Sequence, residues 1–184
     1  MDTTIKDDGF TLIELMITIA LVAIILVLAA PYFRETITNS KISAEANNLM
    51  ASFNFARSTA ARLNQPVTVC KKNAAGDDCT TADNWEQGWI IFNDLDKDGT
   101  VDSGADEIVL QQYTPLPTGY TLRSTAELSN LVTFLPQGSA RGGSSGTELD
   151  EFSSFRICSA DDTGEEIDAK ARQVFLNVTG RARS

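Results

Sequence analysis

Histidine is absent from the 184-residue chain. Its absence excludes Ser-His and Cys-His nucleophile pairs and any His-ligated zinc site. Cysteine is scarce: Cys70, Cys79 and Cys158 lack the close paired spacing of a thiolate metal site. The chain is therefore not expected to be an enzyme. Positive charge is also in short supply, 15 Lys and Arg against 25 Asp and Glu, for a formal net charge of −10. A uniformly acidic surface repels phosphates, so general affinity for nucleic acid or anionic membranes is excluded and any such binding has to come from a local basic patch. Between Leu15 and Phe33 charge of either sign is missing altogether.

That uncharged run belongs to an apolar stretch that opens at Gly9-Phe10-Thr11-Leu12-Ile13-Glu14-Leu15-Met16 and reaches Tyr32, with Glu14 its single charge. As a helix, positions 15 to 33 span roughly 28 Å, about one hydrocarbon core. A carboxylate in hydrocarbon costs about 3 kcal/mol even on lenient insertion scales, so Glu14 reads as a functional residue in need of a partner. A cut between Gly9 and Phe10 supplies one, because the new α-amino group of Phe10 is a cation close in sequence, on the same copy or a neighbour. A secretory signal has a basic start and a small-residue cleavage site behind its apolar core. Here the glycine stands before the core.

Gly9-Phe10-Thr11-Leu12-Ile13-Glu14-Leu15 resembles the type III signal of type IV prepilins. The resemblance implies that a prepilin peptidase cuts after Gly9, that the new N-terminal Phe10 is methylated, and that Glu14 helps dock the subunit into a filament. It also implies a single-pass inner-membrane protein with its domain in the periplasm, later part of an extracellular pilus among other major and minor pilins. Such leaders are usually basic, whereas Met1 to Gly9 carries Asp2, Asp7 and Asp8 against Lys6 alone.

Beyond the uncharged run, Phe33, Ile37, Ile42, Leu49, Met50, Phe53, Ala56, Ala60 and Leu63 recur mostly at three- and four-residue steps, with Arg34, Glu35, Lys41, Glu45, Arg57 and Arg62 between them. This spacing predicts an amphipathic helix with its apolar side on the domain that follows and its end at Asn64-Gln65-Pro66. Pro31 is expected to kink or loosen the helix where it leaves the lipid. After Pro66 come short β-rich runs, Val67 to Lys71, Gly88 to Asn93, Glu107 to Tyr113, Tyr120 to Arg123, Leu131 to Leu135, Ser153 to Cys158 and Gln173 to Val178. Asp77-Asp78 and Gly138 to Gly146 read as flexible loops. The fold class is α+β: a leader (1–9), a long N-terminal helix (10–64) and one compact antiparallel β domain (65–184). Trp85-x-x-Gly88-Trp89-Ile90-Ile91-Phe92, followed by an Asp-rich turn and a final strand ending at Gly180, resembles the GspH/FimT/FimU group of minor pilins and pseudopilins.

Cys70 and Cys79 flank the polar loop Lys71 to Asp78, and closing a loop of that size contributes about 3 kcal/mol in the chain-entropy model. This is the preferred disulfide, with Cys158 as the alternative partner of either cysteine. Asp94-x-Asp96-x-Asp98-Gly99 matches the first half of a calcium loop, where alternating carboxylates converge on a hard cation. The second half departs, with Ala105 at the position of the bidentate Glu and Asp106 and Glu107 displaced beyond it. The competing reading is an Asp-Gly turn between strands, with no cofactor.

From Ala169 to Ser184 the local charge reverses: Lys170, Arg172, Arg181 and Arg183 stand without one acidic side chain. Arg forks pair bidentately with phosphate oxygens, and a glycine before the pair lets the backbone approach closely. Gly180-Arg181-Ala182-Arg183 resembles the C-terminal Gly-Arg-x-Arg motif of FimT-type minor pilins, which bind double-stranded DNA in natural transformation. Arg123 and Arg141 are candidates to extend the patch. The competing reading is a type II secretion pseudopilin of the GspH kind without DNA binding, its basic tail a solvated end or a docking edge.

Overall fold

Thr11 starts the helix. Its Oγ1 accepts the Glu14 amide at 3.3 Å, the forward half of a Thr-x-x-Glu capping arrangement, and places an acid in the first turn, where the helix dipole favours it. The structure, a computed structural model, describes residues 10–82, 84–102, 104, 106–143, 147–150, 153–159 and 171–184, with the backbone alone at 29–31. Gly9 and Lys170 lie outside the described residues. Helix α1 is Leu12–Leu63, and the chain divides into two compact units, one ending at Asn39 and the other beginning at Ser40.

In the first unit every side chain from Phe10 to Leu28 is exposed. This part of α1 is long and apolar enough to cross a membrane, with a window of mean hydropathy 2.9. The helical assignment continues through Pro31, so the proline does not end the helix.

In the second unit the helix buries Ile42, Ala46, Leu49, Phe53, Ala56 and Ala60, a strict alternation of four- and three-residue steps that keeps one stripe on the core. Phe33 and Ile37, expected on this stripe, are exposed, Leu63 sits at its rim, and Met50 is half-buried beside it. The end is set by Asn64, whose left-handed φ of 53° brings the Gln65 amide onto the Ala60 carbonyl at 3.2 Å, a Schellman closure.

The remainder folds as two antiparallel sheets. One has the order β3-β2-β1-β5-β6-β7, from β1 (Val67–Lys71), β2 (Trp89–Asn93), β3 (Val109–Gln112), β5 (Leu131–Phe134), β6 (Ala140–Gly142) and β7 (Thr147–Glu148). The other has the order β10-β9-β8-β4, from β4 (Tyr120–Ser124), β8 (Ser154–Ser159), β9 (Arg172–Leu176) and β10 (Ala182–Arg183). The α+β reading therefore stands, but the segment from Gly138 to Gly146 is not simply a loop. Its residues 140–142 form β6 against β5, because Ala140 has the core to fill and the backbone has an unpaired strand edge to satisfy.

Strand alternation gives the larger sheet two buried faces. Val67, Val69, Ile91, Val132 and Phe134 join the helix stripe, the second sheet and Trp85 and Trp89 in the main core. Cys70, Ile90, Phe92 and Leu131 form a smaller core on the opposite face, with Cys79 and Val101 packed against it. Both indoles satisfy their N–H groups as they must when buried: Trp89 donates to Ser52 Oγ at 2.9 Å and Trp85 to the Leu128 carbonyl at 3.0 Å. Gly88, at φ 94°, lies so close to the Tyr113 carbonyl that any side chain would collide with it.

Candidate functional site

The final hairpin is built by its turn. After β9, Asn177 Oδ1 accepts the Arg181 amide at 3.1 Å and the Thr179 hydroxyl at 2.7 Å, while the Gly180 amide donates to the Asn177 carbonyl at 2.8 Å. Gly180 has φ 70°, and a Cβ there would run into the Gly138 carbonyl oxygen and the Arg57 side chain. Glycine is required twice over, for its backbone conformation and for the close approach. The same turn docks on the larger sheet, since the Ala140 amide donates to the Val178 carbonyl at 2.9 Å.

This docking brings the helix to the tail. Arg57, half-buried on α1, donates from Nε to the Gly138 carbonyl at 3.1 Å across 81 positions of sequence. Arg183 pairs across the hairpin with Phe175, and its guanidinium carbon lies 5.9 Å from that ring's centroid, a cation–π contact that orients the group while leaving it wet. Asn54, Arg57, Phe175, Asn177, Arg181, Ala182 and Arg183 line an open groove of about 650 Å³. Three guanidinium groups thus share one concavity, and among the described residues its lining includes no acidic side chain. Such a site attracts an anion with several oxygens along its length; the Arg forks and the Asn54 amide supply donors, and Phe175 an apolar floor.

The other expected positions fall elsewhere. Arg172 opens β9 on the face shared with Val174 and Leu176, by strand alternation, and is not among the groove's lining residues. Arg123 sits on β4, at the opposite edge of the four-stranded sheet from β10, and ion-pairs with Glu86. Arg141 lies on β6, opposite Thr133 and Glu148, also away from the groove lining. Arg57 was legible only as a polar position on an amphipathic helix, and Phe175 only as a strand residue; neither carries a local signal of a shared site. Cys70 and Cys79 are joined, with Cα atoms 5.6 Å apart, and Cys158 is a buried free thiol. The carboxylates of Asp94, Asp96 and Asp98 converge on a separate loop between β2 and β3.

The fold and these motifs have known counterparts. The family model for type II transport protein GspH matches residues 45–180, nearly the whole of the second unit. The chain belongs to the GspH family. A second model, the prokaryotic N-terminal methylation motif, matches residues 6–30 of this GspH-family chain, the stretch containing the Gly9-Phe10 junction and Glu14. No curated protein matches it. Two crystal structures of the type IV minor pilin FimU from Pseudomonas aeruginosa PAO1 share its fold at 20% identity. One has a TM-score of 0.53 over 78% of this chain and 87% of FimU, the other 0.50 over 77% and 90%. The GspH-family chain is thus a minor pilin or pseudopilin with a prepilin-type N-terminus. Its apolar helix fits a subunit anchored in the inner membrane before assembly with other pilins.

Proposed function

We propose that the protein is a minor type IV pilin that captures double-stranded DNA in the groove between α1 and the C-terminal hairpin during natural transformation. Cleavage after Gly9 frees the Phe10 amine, methylation follows, and Glu14 pairs with that amine on the same or a neighbouring subunit as the apolar helices leave lipid for one another. The observation that carries the DNA reading is the convergence of Arg57, Arg181 and Arg183 on one groove, whose lining among the described residues holds no acid, in a chain of net charge −10. Phosphate contacts of this kind give sequence-independent binding that weakens with salt, because each neutralised phosphate releases counterions. Two or three such contacts correspond to a log-log salt slope of about −2 to −3. The acidic remainder of the surface opposes approach, so one copy binds weakly and several copies along a filament gain by avidity.

A mobility shift of linear duplex DNA with the full-length protein in detergent tests the reading. Arg181→Ala/Arg183→Ala is expected to abolish binding at moderate salt with stability within about 0.5 kcal/mol of wild type, as for exposed surface changes. Equal binding by that variant, or no binding by wild type at about 50 mM salt where electrostatic affinity is strongest, sinks the proposal and leaves only an assembly subunit. The second reading, a type II secretion pseudopilin without DNA binding, is favoured by the description of the matching family model. Deletion of the gene separates the two: loss of DNA uptake supports the pilus, and loss of protein secretion supports the pseudopilin.

A further inference from the structure

Asp94, Asp96 and Asp98 each offer one carboxylate oxygen within 4.8 Å of the others, on the loop that leaves β2. Clustered exposed acids mean little by themselves, but Asp94 is not exposed. It is fully buried, its Oδ2 receives the Thr68 hydroxyl at 2.6 Å, and its Oδ1 is buried with no hydrogen-bond partner. An orphaned buried oxygen of this kind calls for a donor or a cation. Burial pushes the Asp94 carboxyl up, against the lowering pull of the Thr68 hydrogen bond, and Glu107 adds to the rise by repulsion; the Gly99 and Lys97 amides also lower it from nearby but do not reach hydrogen-bond geometry with Oδ1.

Glu107 answers the question raised by the missing bidentate ligand. It is buried and uses both oxygens on the loop backbone, Oε1 accepting the Leu95 amide at 2.7 Å and Oε2 the Asp102 amide at 2.9 Å. Glu107 therefore braces the loop around the cluster. The loop in turn roofs the smaller core: Gly99 packs on Leu131 with no room for a side chain, and the Val101 amide donates to Asp78 Oδ1 at 2.9 Å, tying the roof to the disulfide loop.

We propose that this loop is a calcium site in which Asp94 Oδ1, Asp96 and Asp98 ligate one Ca²⁺, with Glu107 bracing the loop, and that the ion fastens the roof of the smaller core. All-oxygen ligation on an irregular loop suits Ca²⁺ over Mg²⁺, which demands near-ideal octahedral geometry. Three carboxylates without the bidentate Glu place the site in the weak class of extracellular modules, with Kd roughly 10⁻⁴ to 10⁻³ M.

The full-length protein in detergent, stripped with chelator, is titrated with CaCl₂ or MgCl₂ by calorimetry, and its thermal midpoint is followed at each concentration. Saturable calcium binding in that range is expected, at least about tenfold tighter than magnesium, with a midpoint rise of a few degrees at 10 mM, about 10 to 100 times that Kd. Asp96→Asn/Asp98→Asn keeps the local hydrogen-bond acceptors and is expected to lose both signals. Asp94→Asn, which keeps an acceptor for the Thr68 hydroxyl, is expected to stay folded in chelator and not to respond to calcium. No saturable binding up to 10 mM, equal response to the two metals, or a wild-type calcium response in either variant overturns the proposal.

Discussion

Replacing Gly180 by alanine separates geometry from charge at the groove, because it removes no cation. Gly180 has φ 70°, where an L side chain costs roughly 1–2 kcal/mol. The added Cβ also meets the Gly138 carbonyl and comes within 3.3 Å of Arg57 Cδ and Nε, so relief requires breaking the 3.1 Å bond from Arg57 to Gly138. A part-buried hydrogen bond from a charged donor is worth about 1.5–3 kcal/mol, and because relaxation recovers some of this, the combined loss is estimated at about 2–4 kcal/mol. For a domain of this size that corresponds to a midpoint lower by roughly 5–12 °C. Circular dichroism melts of the full-length protein in detergent give the first readout, and the DNA mobility shift below the lowered midpoint gives the second. Gly180→Ala should melt early and bind DNA poorly with its arginines intact, whereas Arg181→Ala/Arg183→Ala should melt normally and bind poorly. A Gly180→Ala protein as stable as wild type would show that the hairpin does not need this docking, and the argument that the turn aligns the three arginines would fail with it.

Three further outcomes can be checked directly. N-terminal mass spectrometry of protein made in cells with an active prepilin peptidase should find a chain beginning at methylated Phe10; an intact Met1 terminus contradicts the prepilin reading. Glu14→Val should still be cleaved but enter filaments poorly, since valine sits in lipid more easily yet offers a neighbouring amine no partner, and normal incorporation refutes the docking role. Non-reducing peptide mapping should recover Cys70 linked to Cys79, and a thiol reagent should label Cys158 only after unfolding because that thiol is buried; fast labelling of the folded protein contradicts the burial.

By itself the sequence determined the long helix, seven of the strands and their order. Periodicity marked a helix through Ala60, and β-rich runs bounded by turn residues marked seven strands, because both are local patterns. The prepilin-type motif was legible for a related reason: Gly9, Phe10 and Glu14 stand close together in the chain. The end of the helix at Asn64 could be read from the residues that close helices. Beyond that, contacts between distant positions decided the outcome. β6 forms because the edge of β5 and the space beside Ala140 are offered to it, and nothing in Gly138 to Gly146 announces either. Cys158 could have competed for Cys70 on spacing, and only the fold keeps it on the other sheet. Arg57 meets Arg181 because a hairpin turn with a left-handed glycine lies against Gly138, while Arg172 turns to the other face through strand alternation. Charge along the chain is a sum, but a binding groove requires those charges to face one another, and that depends on which surfaces the core brings together.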